Sequence, residues 1–287
     1  MTKFRLMLAV CLIFCTTLFH GQSNVKTINV TFTTIDVPGA GLTQVYGINS
    51  AGDMVGFYST GYNDPNDHGF LLSGGNFTFL DYPGADSTVA TSITDSGLLA
   101  GYYGSFTGGG FLYSGGTFTG VNAGKNSRTF IWRMDNTGDI VGSAGTPYET
   151  RAFQDRGLRF RTITFPGSYV YAYATGINMA GQIVGWVNSD AYLFSNGQFR
   201  NIDFPGASET EAWDINNSGI VVGWYFLGGT DDGFALFKGK YLSFSYPGAA
   251  TFAAGINSAG QIVGTYTFDF VAFHGFVTNP ITTKDFE

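Results

Sequence analysis

The chain is poor in the residues that redox, thiolate and polyanion chemistry need. Its 287 residues include two cysteines, three histidines and eight prolines, and only 12% are charged. Both cysteines, Cys11 and Cys15, lie in a segment that reads as a secretory signal: basic Lys3 and Arg5, an apolar run over 6–19, then Gly21 and Ser23 at small-residue spacing for cleavage near Ser23. Residues 1–23 are therefore read as signal peptide, and 24–287 as one exported domain with no thiol for a disulfide, a thiolate metal site or a cysteine nucleophile. The apolar run falls short of the roughly 20 residues of a membrane span, and no second one follows. Val10 and Phe14, which precede the cysteines, do not suit lipidation. Without Lys3 and Arg5, 12 basic residues face 21 acidic ones, a net charge of −9 that argues against nucleic acid as a partner.

Glycine and aromatic residues are abundant instead. The 42 glycines are about twice average usage, and aromatics reach 17%, a composition of tight turns and strands. One motif recurs six times: GINSAGDMVG (47–56), SITDSGLLAG (92–101), RMDNTGDIVG (133–142), GINMAGQIVG (176–185), DINNSGIVVG (214–223) and GINSAGQIVG (255–264). Its final glycines are spaced 45, 41, 43, 38 and 41 residues apart. Strands running into Pro-Gly at 38, 83, 166, 205 and 247 keep the same phase, as do strands opening HGFLL, GGFLY, RAFQD, DAYLF, DGFALF and HGFV. Four short strands per repeat of about 42 residues predict an all-β, six-bladed β-propeller of four-stranded blades. Tight loops in NSAG and SGGN make hairpins, which leaves the PGAxxT segment to cross between blades. The strand ending in GIN is then innermost, and an N-terminal outer strand over 32–37 pairs with the C-terminal blade to close the ring.

Laid out in this way, the chain resembles the HAF family of probable extracellular repeats, named for a His-Ala-Phe motif. Here the motif reads His68-Gly69-Phe70 and His274-Gly275-Phe276, beside GIN-x-x-G-x-I-V-G. The resemblance implies export and a repeat-built fold and carries no catalytic residues. Copies two to five replace the histidine by Gly109, Arg151, Asp190 and Asp232.

The glycine motif is not a phosphate loop, because Asp53-Met54 or Gln261-Ile262 stand where Lys and Ser/Thr are needed and no helix pattern follows. Calcium wants six to eight oxygens, yet 47–56 offers only Asp53 and 255–264 no carboxylate. Asp135 with Asp139 is the best local pair. The motif is expected to be a turn in which Asn or Asp bonds its own backbone, with no metal and no cofactor. Aromatics ending the second strand (Phe57-Tyr58, Tyr102-Tyr103, Trp186, Trp224-Tyr225, Tyr266) are expected between blades, with Trp186 and Trp224 as candidates for exposure and sugar stacking.

Candidate ligand residues gather on the rim that carries the PGAxxT crossings. His68, Arg151, Asp190, Asp232 and His274 open the third strands, the histidines being expected to bond loop backbone; Glu209 and Glu211 flank one inner-strand entrance. Seven basic residues (Lys125, Arg128, Arg133, Arg151, Arg156, Arg159, Arg161) fall in one blade-sized span. Lys125, Arg128 and Arg151 on the rim would hold a carboxylate or phosphate, while Arg159 and Arg161 fit an outer edge guarded against aggregation. The sequence therefore points to a binding module for a glycan, an acidic ligand or a protein partner. A polysaccharide hydrolase or lyase on the same rim, and a purely structural surface protein, are the competing classes.

Overall fold

The computed structural model describes residues 24–61, 66–104, 108–124, 127–146, 148–157, 159–166 and 171–287. Residues 1–23, which include both cysteines, and Lys125 lie outside the described residues, so the reading of a signal peptide falls outside them too. Six antiparallel sheets form a six-bladed β-propeller, and among the described residues the only helix is a 3₁₀ turn, Thr283–Phe286.

Blade I contains β3 (Leu42–Ile48), β4 (Met54–Ser59), β5 (His68–Ser73) and β6 (Asn76–Leu80), and blade II contains β7 (Thr88–Ile93), β8 (Leu99–Tyr103), β9 (Gly110–Ser114) and β10 (Thr117–Val121). Blade III is β11 (Arg128–Met134), β12 (Ile140–Thr146), β13 (Glu149–Asp155) and β14 (Phe160–Thr162). Blade IV is β15 (Ala172–Ile177), β16 (Ile183–Val187), β17 (Asp190–Ser195) and β18 (Gln198–Asn201). Blade V is β19 (Glu209–Ile215), β20 (Val221–Leu227), β21 (Thr230–Phe237) and β22 (Lys240–Phe244). Blade VI joins β23 (Ala250–Ile256), β24 (Ile262–Thr267) and β25 (His274–Thr278) to β2 (Phe32–Ile35), with Phe32 opposite Thr278. A further strand, β1 (Val25–Thr27), runs parallel to β22 and gives blade V a fifth strand that the repeat pattern does not foreshadow.

Six apolar clusters hold the ring, each shared by two neighbouring blades; Val55 and Leu80 of blade I, for example, pack on Ala90, Leu99 and Phe111 of blade II. The PGAxxT crossings are clamped by their threonine. The hydroxyl oxygens of Thr43, Thr88, Thr129, Thr210 and Thr251 accept the backbone N–H of Val37, Tyr82, Ala123, Phe204 and Tyr246.

Every inner strand carries a β-bulge at one register position, so that Tyr46, Thr91, Trp132, Thr175, Trp213 and Ala254 are left out of the ladder. This position immediately precedes the motif. The bulge explains the repeat's last glycine: a Cβ at Gly56 would run into the Gln44 carbonyl oxygen, and the five equivalent glycines meet the same obstacle. At the NSAG turn, the third motif residue accepts the turn's N–H groups, as Asn49 Oδ1 does from Ala51 and Asp53. Where it is Asn, its amide also reaches the next blade. Asn178 donates to the Asn216 carbonyl, Asn216 to Asn257, Asn257 to Asn49 and Asn49 to Thr94.

Two motif copies replace the leading glycine by charge, and both charges lie on the axis. Arg133 of blade III is 8% exposed and donates from Nη1 to the Thr91 carbonyl (3.1 Å) and from Nη2 to those of Tyr46 (3.2 Å) and Ala254 (2.7 Å). One side chain therefore ties blade III to blades II, I and VI. Its Nε lies 3.2 Å from Asp214 Oδ1 of blade V, a charge contact without hydrogen-bond alignment. Asp214 also accepts the N–H of Ile256 and of Ile215. Burial lowers the Arg133 guanidinium, opposed by Asp214, from a starting value that keeps it charged. Burial raises the Asp214 carboxyl, opposed by Arg133 and the two N–H groups. Arg133 therefore belongs to the axis and not to a basic outer edge or rim.

Removing one partner strands the other charge in the core. Arg133→Met and Asp214→Asn should each lower stability in urea unfolding by about 3–5 kcal/mol. Arg133→Met with Asp214→Leu should lose less than the sum of the single losses; strictly additive losses would show the two side chains to be energetically independent.

Candidate functional site

The bulge residues alternate around the ring. Odd-numbered blades carry aromatics and even-numbered ones carry Thr91, Thr175 and Ala254. The rings of Tyr46, Trp132 and Trp213 meet with centroids 5.5–6.5 Å apart and plug the axis. The Thr91 and Thr175 hydroxyls instead donate to the Ile131 and Ala212 carbonyls of the following blades. On the turn side of the plug, Arg133 and Asp214 sit in a polar depression with Asn49, Asn216 and Asn257. On the crossing side, Gln44, Tyr46, Glu211, Trp213, Trp224, Phe252, Ala253, Ala254, Thr265 and Phe273 line a cavity of about 230 Å³.

Glu211 is its acid. The residue is 7% exposed, and the indole N–H groups of Trp213 (2.9 Å) and Trp224 (3.1 Å) both donate to Oε2. No protein donor reaches Oε1 among the described residues. Burial pushes the Glu211 carboxyl up to about 7, with Glu209 adding to the rise and the two indoles opposing it. Glu209 occupies the rim end of the same strand, near Asp231, whose carboxyl is raised by burial and then by Glu209 and Asp232. Trp224 stands edge-on to Phe252 at 5.3 Å. The loop between β24 and β25 reaches across to blade I, where the Phe273 carbonyl accepts the Thr43 N–H. Tyr46 donates to Gln44 Oε1 (3.2 Å), and burial, then Asp67 and Glu211, raise its phenol.

Of the residues singled out from sequence, the structure brings Glu211 and Trp224 together in this cavity, with Glu209 and Asp232 on the same blade. The others are dispersed. Arg151 is exposed and paired with Glu149 on its own strand at 2.6 Å, Arg128 is half-buried at the start of β11, and Asp190 is exposed at the start of β17. Arg156 pairs with Asp139 at 2.9 Å, and the Asp135 Oδ1 takes turn donors including the N–H groups of Thr137 and Asp139, so the best calcium candidates already have protein partners. Arg159 and Arg161 are exposed on either side of Phe160. Among the described residues, the partners of His68 and His274 are carboxylates and not loop backbone. Each bonds the carboxylate closing the neighbouring outer strand, Asp81 at 2.8 Å and Asp36 at 3.0 Å, because the ends of strands three and four are adjacent in an antiparallel blade.

The second-strand aromatics divide by strand alternation. Tyr103, Tyr225 and Tyr266 stack on Tyr82, Phe204 and Tyr246 of the crossings at 3.6–3.7 Å, as inter-blade packing requires. Phe57, Tyr102, Trp186 and Trp224, one residue earlier, turn toward the axis and meet inner-strand rings. Trp186 is half-buried on Tyr173 at 4.1 Å, with its Nε1 buried and without a partner among the described residues. Neither tryptophan is freely exposed. Sequence reasoning missed Tyr46, Trp213 and Phe252, although a signal existed: the residues one and three positions before each motif are the axial ones.

A raised carboxyl makes stability pH-dependent with a definite sign. The folded state holds a proton on Glu211 that the unfolded chain has released above about pH 4.5, so this contribution to stability falls as pH rises through 7. Glu211→Gln removes that titration. Relative to the parent, its stability should rise by up to about 3 kcal/mol between pH 5 and pH 8, read by urea unfolding at both. A constant difference between the two proteins would show that Glu211 does not titrate in that window.

No protein-family model matches the chain, and no curated protein matches its sequence. Among solved structures it is similar to regucalcin, a calcium-binding protein from Agrobacterium tumefaciens (11% identity, 90% of this chain and 97% of that one, TM-score 0.57). It is similar also to a triple-arginine mutant of AofleA from Arthrobotrys oligospora (12%, 87% and 87%, TM-score 0.52). A third likeness is to the β-propeller domain of the Trilobed protease from Pyrococcus furiosus (10%, 88% and 90%, TM-score 0.52). At these identities the likeness is one of fold, and the fold is the β-propeller.

Proposed function

We propose that the protein is an exported binding module that takes a small ligand into the axial cavity beside Glu211. Export rests on the N-terminal segment and on the resemblance to HAF-type extracellular repeats. The observation that carries the binding site is the buried Glu211 carboxyl, held on one oxygen by two indoles in a pocket walled by aromatic rings. Well-formed apolar pockets with a few convergent polar groups are where small molecules bind, and about 230 Å³ suits a small ligand or the head of a larger one. Placing an acidic glycan on blade III has less support, because Glu149 already neutralises Arg151.

A carboxyl near 7 is also poised for proton transfer at neutral pH, which supports an enzyme acting on the same ligand as a second reading. Screening small molecules by thermal shift distinguishes the two locations. Hits should lose at least about tenfold in affinity on Trp224→Ala, a truncation inside the pocket, and keep it on Arg151→Ala. Hits that depend on Arg151 and ignore Trp224 would move the site to blade III. Slow turnover of a hit, abolished by Glu211→Gln, would favour the enzyme.

A further inference from the structure

We infer that the ligand of this pocket presents an organic cation, a primary or methylated ammonium head, to Glu211 within the aromatic wall. This rests on reading the cavity as the binding site. Its support is the imbalance of charge around a buried acid. Among the described residues, the titratable groups coupled to Glu211 are Glu209 on its own strand, Tyr46 on β3 and Tyr173 on β15, all of them acids. Arg133, the buried guanidinium of the axis, lies on the other side of the Trp213 ring, committed to Asp214 and three carbonyls. A buried carboxylate normally has a counter-charge. Among the described residues the protein supplies two indole donors to Oε2 and no positive partner, which a bound cation would provide.

The walls select the kind of cation. Tyr46, Trp213, Trp224, Phe252 and Phe273 surround the space, and ring faces attract ammonium groups within about 6 Å, tryptophan most strongly. A hard metal ion would need six or more oxygens, whereas the lining side chains with oxygen are Gln44, Tyr46, Glu211 and Thr265, and Gln44 Oε1 already accepts the Tyr46 hydroxyl. Among the described residues no group of three or more His, Cys, Asp and Glu side chains is arranged to hold a metal. An anionic head would face Glu211 and Glu209 without compensation.

The surroundings of the pocket agree. Glu209, Asp231 and Asp232 place acid on the rim of blade V, which draws cations toward that side. Exposed Phe226 and Leu227 of blade V, with Phe268, Phe270 and Val271 of the blade VI loop that ends at Phe273, offer apolar surface to the rest of such a ligand.

The test is titration of the full mature chain, followed by tryptophan fluorescence and calorimetry, with choline, butylammonium and phenyltrimethylammonium. The control is the uncharged isostere of choline in which carbon replaces nitrogen. At least one cation should bind, and for choline the isostere should bind at least about tenfold more weakly. Affinity should improve about tenfold from pH 6 to pH 8, as Glu211 ionises, and this gain should vanish in Glu211→Gln. Glu209→Gln should leave most of the gain in place. Equal binding of choline and its isostere, or unchanged cation affinity in Glu211→Gln, would overturn the cation while leaving the pocket intact as a site sensitive to Trp224→Ala. Binding by none of the three cations would also overturn it. The pocket itself falls only when the wider screen yields no ligand that Trp224→Ala weakens.

Discussion

Six strands cannot converge on one axis without deciding what fills it, and that decision shapes the rest of this molecule. The leading glycines of three motifs leave room. A Cβ at Gly47 would crowd the Thr91 carbonyl and the Arg133 guanidinium, and one at Gly176 would lie 2.6 Å from the Asp214 Cα. The space so released is occupied from two other blades by Arg133 and Asp214. A guanidinium suits this place because its fork of donors serves backbone carbonyls that arrive from several directions. The inter-blade carbonyls exposed by the bulges thus become ligands for one cation instead of unsatisfied groups.

The same bulges also divide the axis. Because Tyr46, Trp132 and Trp213 occupy alternate blades, three large rings fit where six would collide, and Thr91 and Thr175 between them tie neighbouring blades by hydroxyl bonds. The plug shields the Arg133–Asp214 pair from the crossing-side cavity. Without that separation, Arg133 would stabilise the Glu211 anion and hold its carboxyl low. The apolar walls and the raised carboxyl therefore share one origin, a propeller axis sealed by aromatic side chains.

Much of the architecture was legible because repetition exposes register. The recurring final glycine, the Pro-Gly crossings and the Asn of the turn mark strand ends in each copy, and each has a local physical reason that a single repeat would conceal. The site was less legible. By sequence, the seven clustered basic residues divide between a rim and an outer edge, yet successive positions of a blade also reach the axis and the turns. Arg133 went to the axis, Arg156 to the turn-side Asp139 and Arg151 to the rim beside Glu149. Glu211 and Trp224 were legible because the acid follows a Pro-Gly crossing and the tryptophan follows the final glycine of the motif. Phe273 carried no signal, since its place depends on a loop bridging to β3.

Departure from the consensus is informative only once the consensus position is located in space. His68 and His274 depart from the other copies at the start of the third strand, where an outward side chain has an Asp of the next strand in reach, and the outcome is a local pair repeated twice. Arg133 and Asp214 depart at the axis, where the inner strands converge, and the outcome is a tie shared by blades I, II, III, V and VI. Glu211 departs three residues earlier, where four of the other copies place Val89, Phe130, Tyr173 and Phe252 and blade I places the uncharged Gln44, so its carboxyl enters a setting built largely for apolar groups. The cost of that placement is borne by blade V, whose indoles Trp213 and Trp224 are both turned to one carboxylate oxygen. An acid retained against such burial, with no donor to its second oxygen among the described residues, is a feature of this chain that packing alone does not explain.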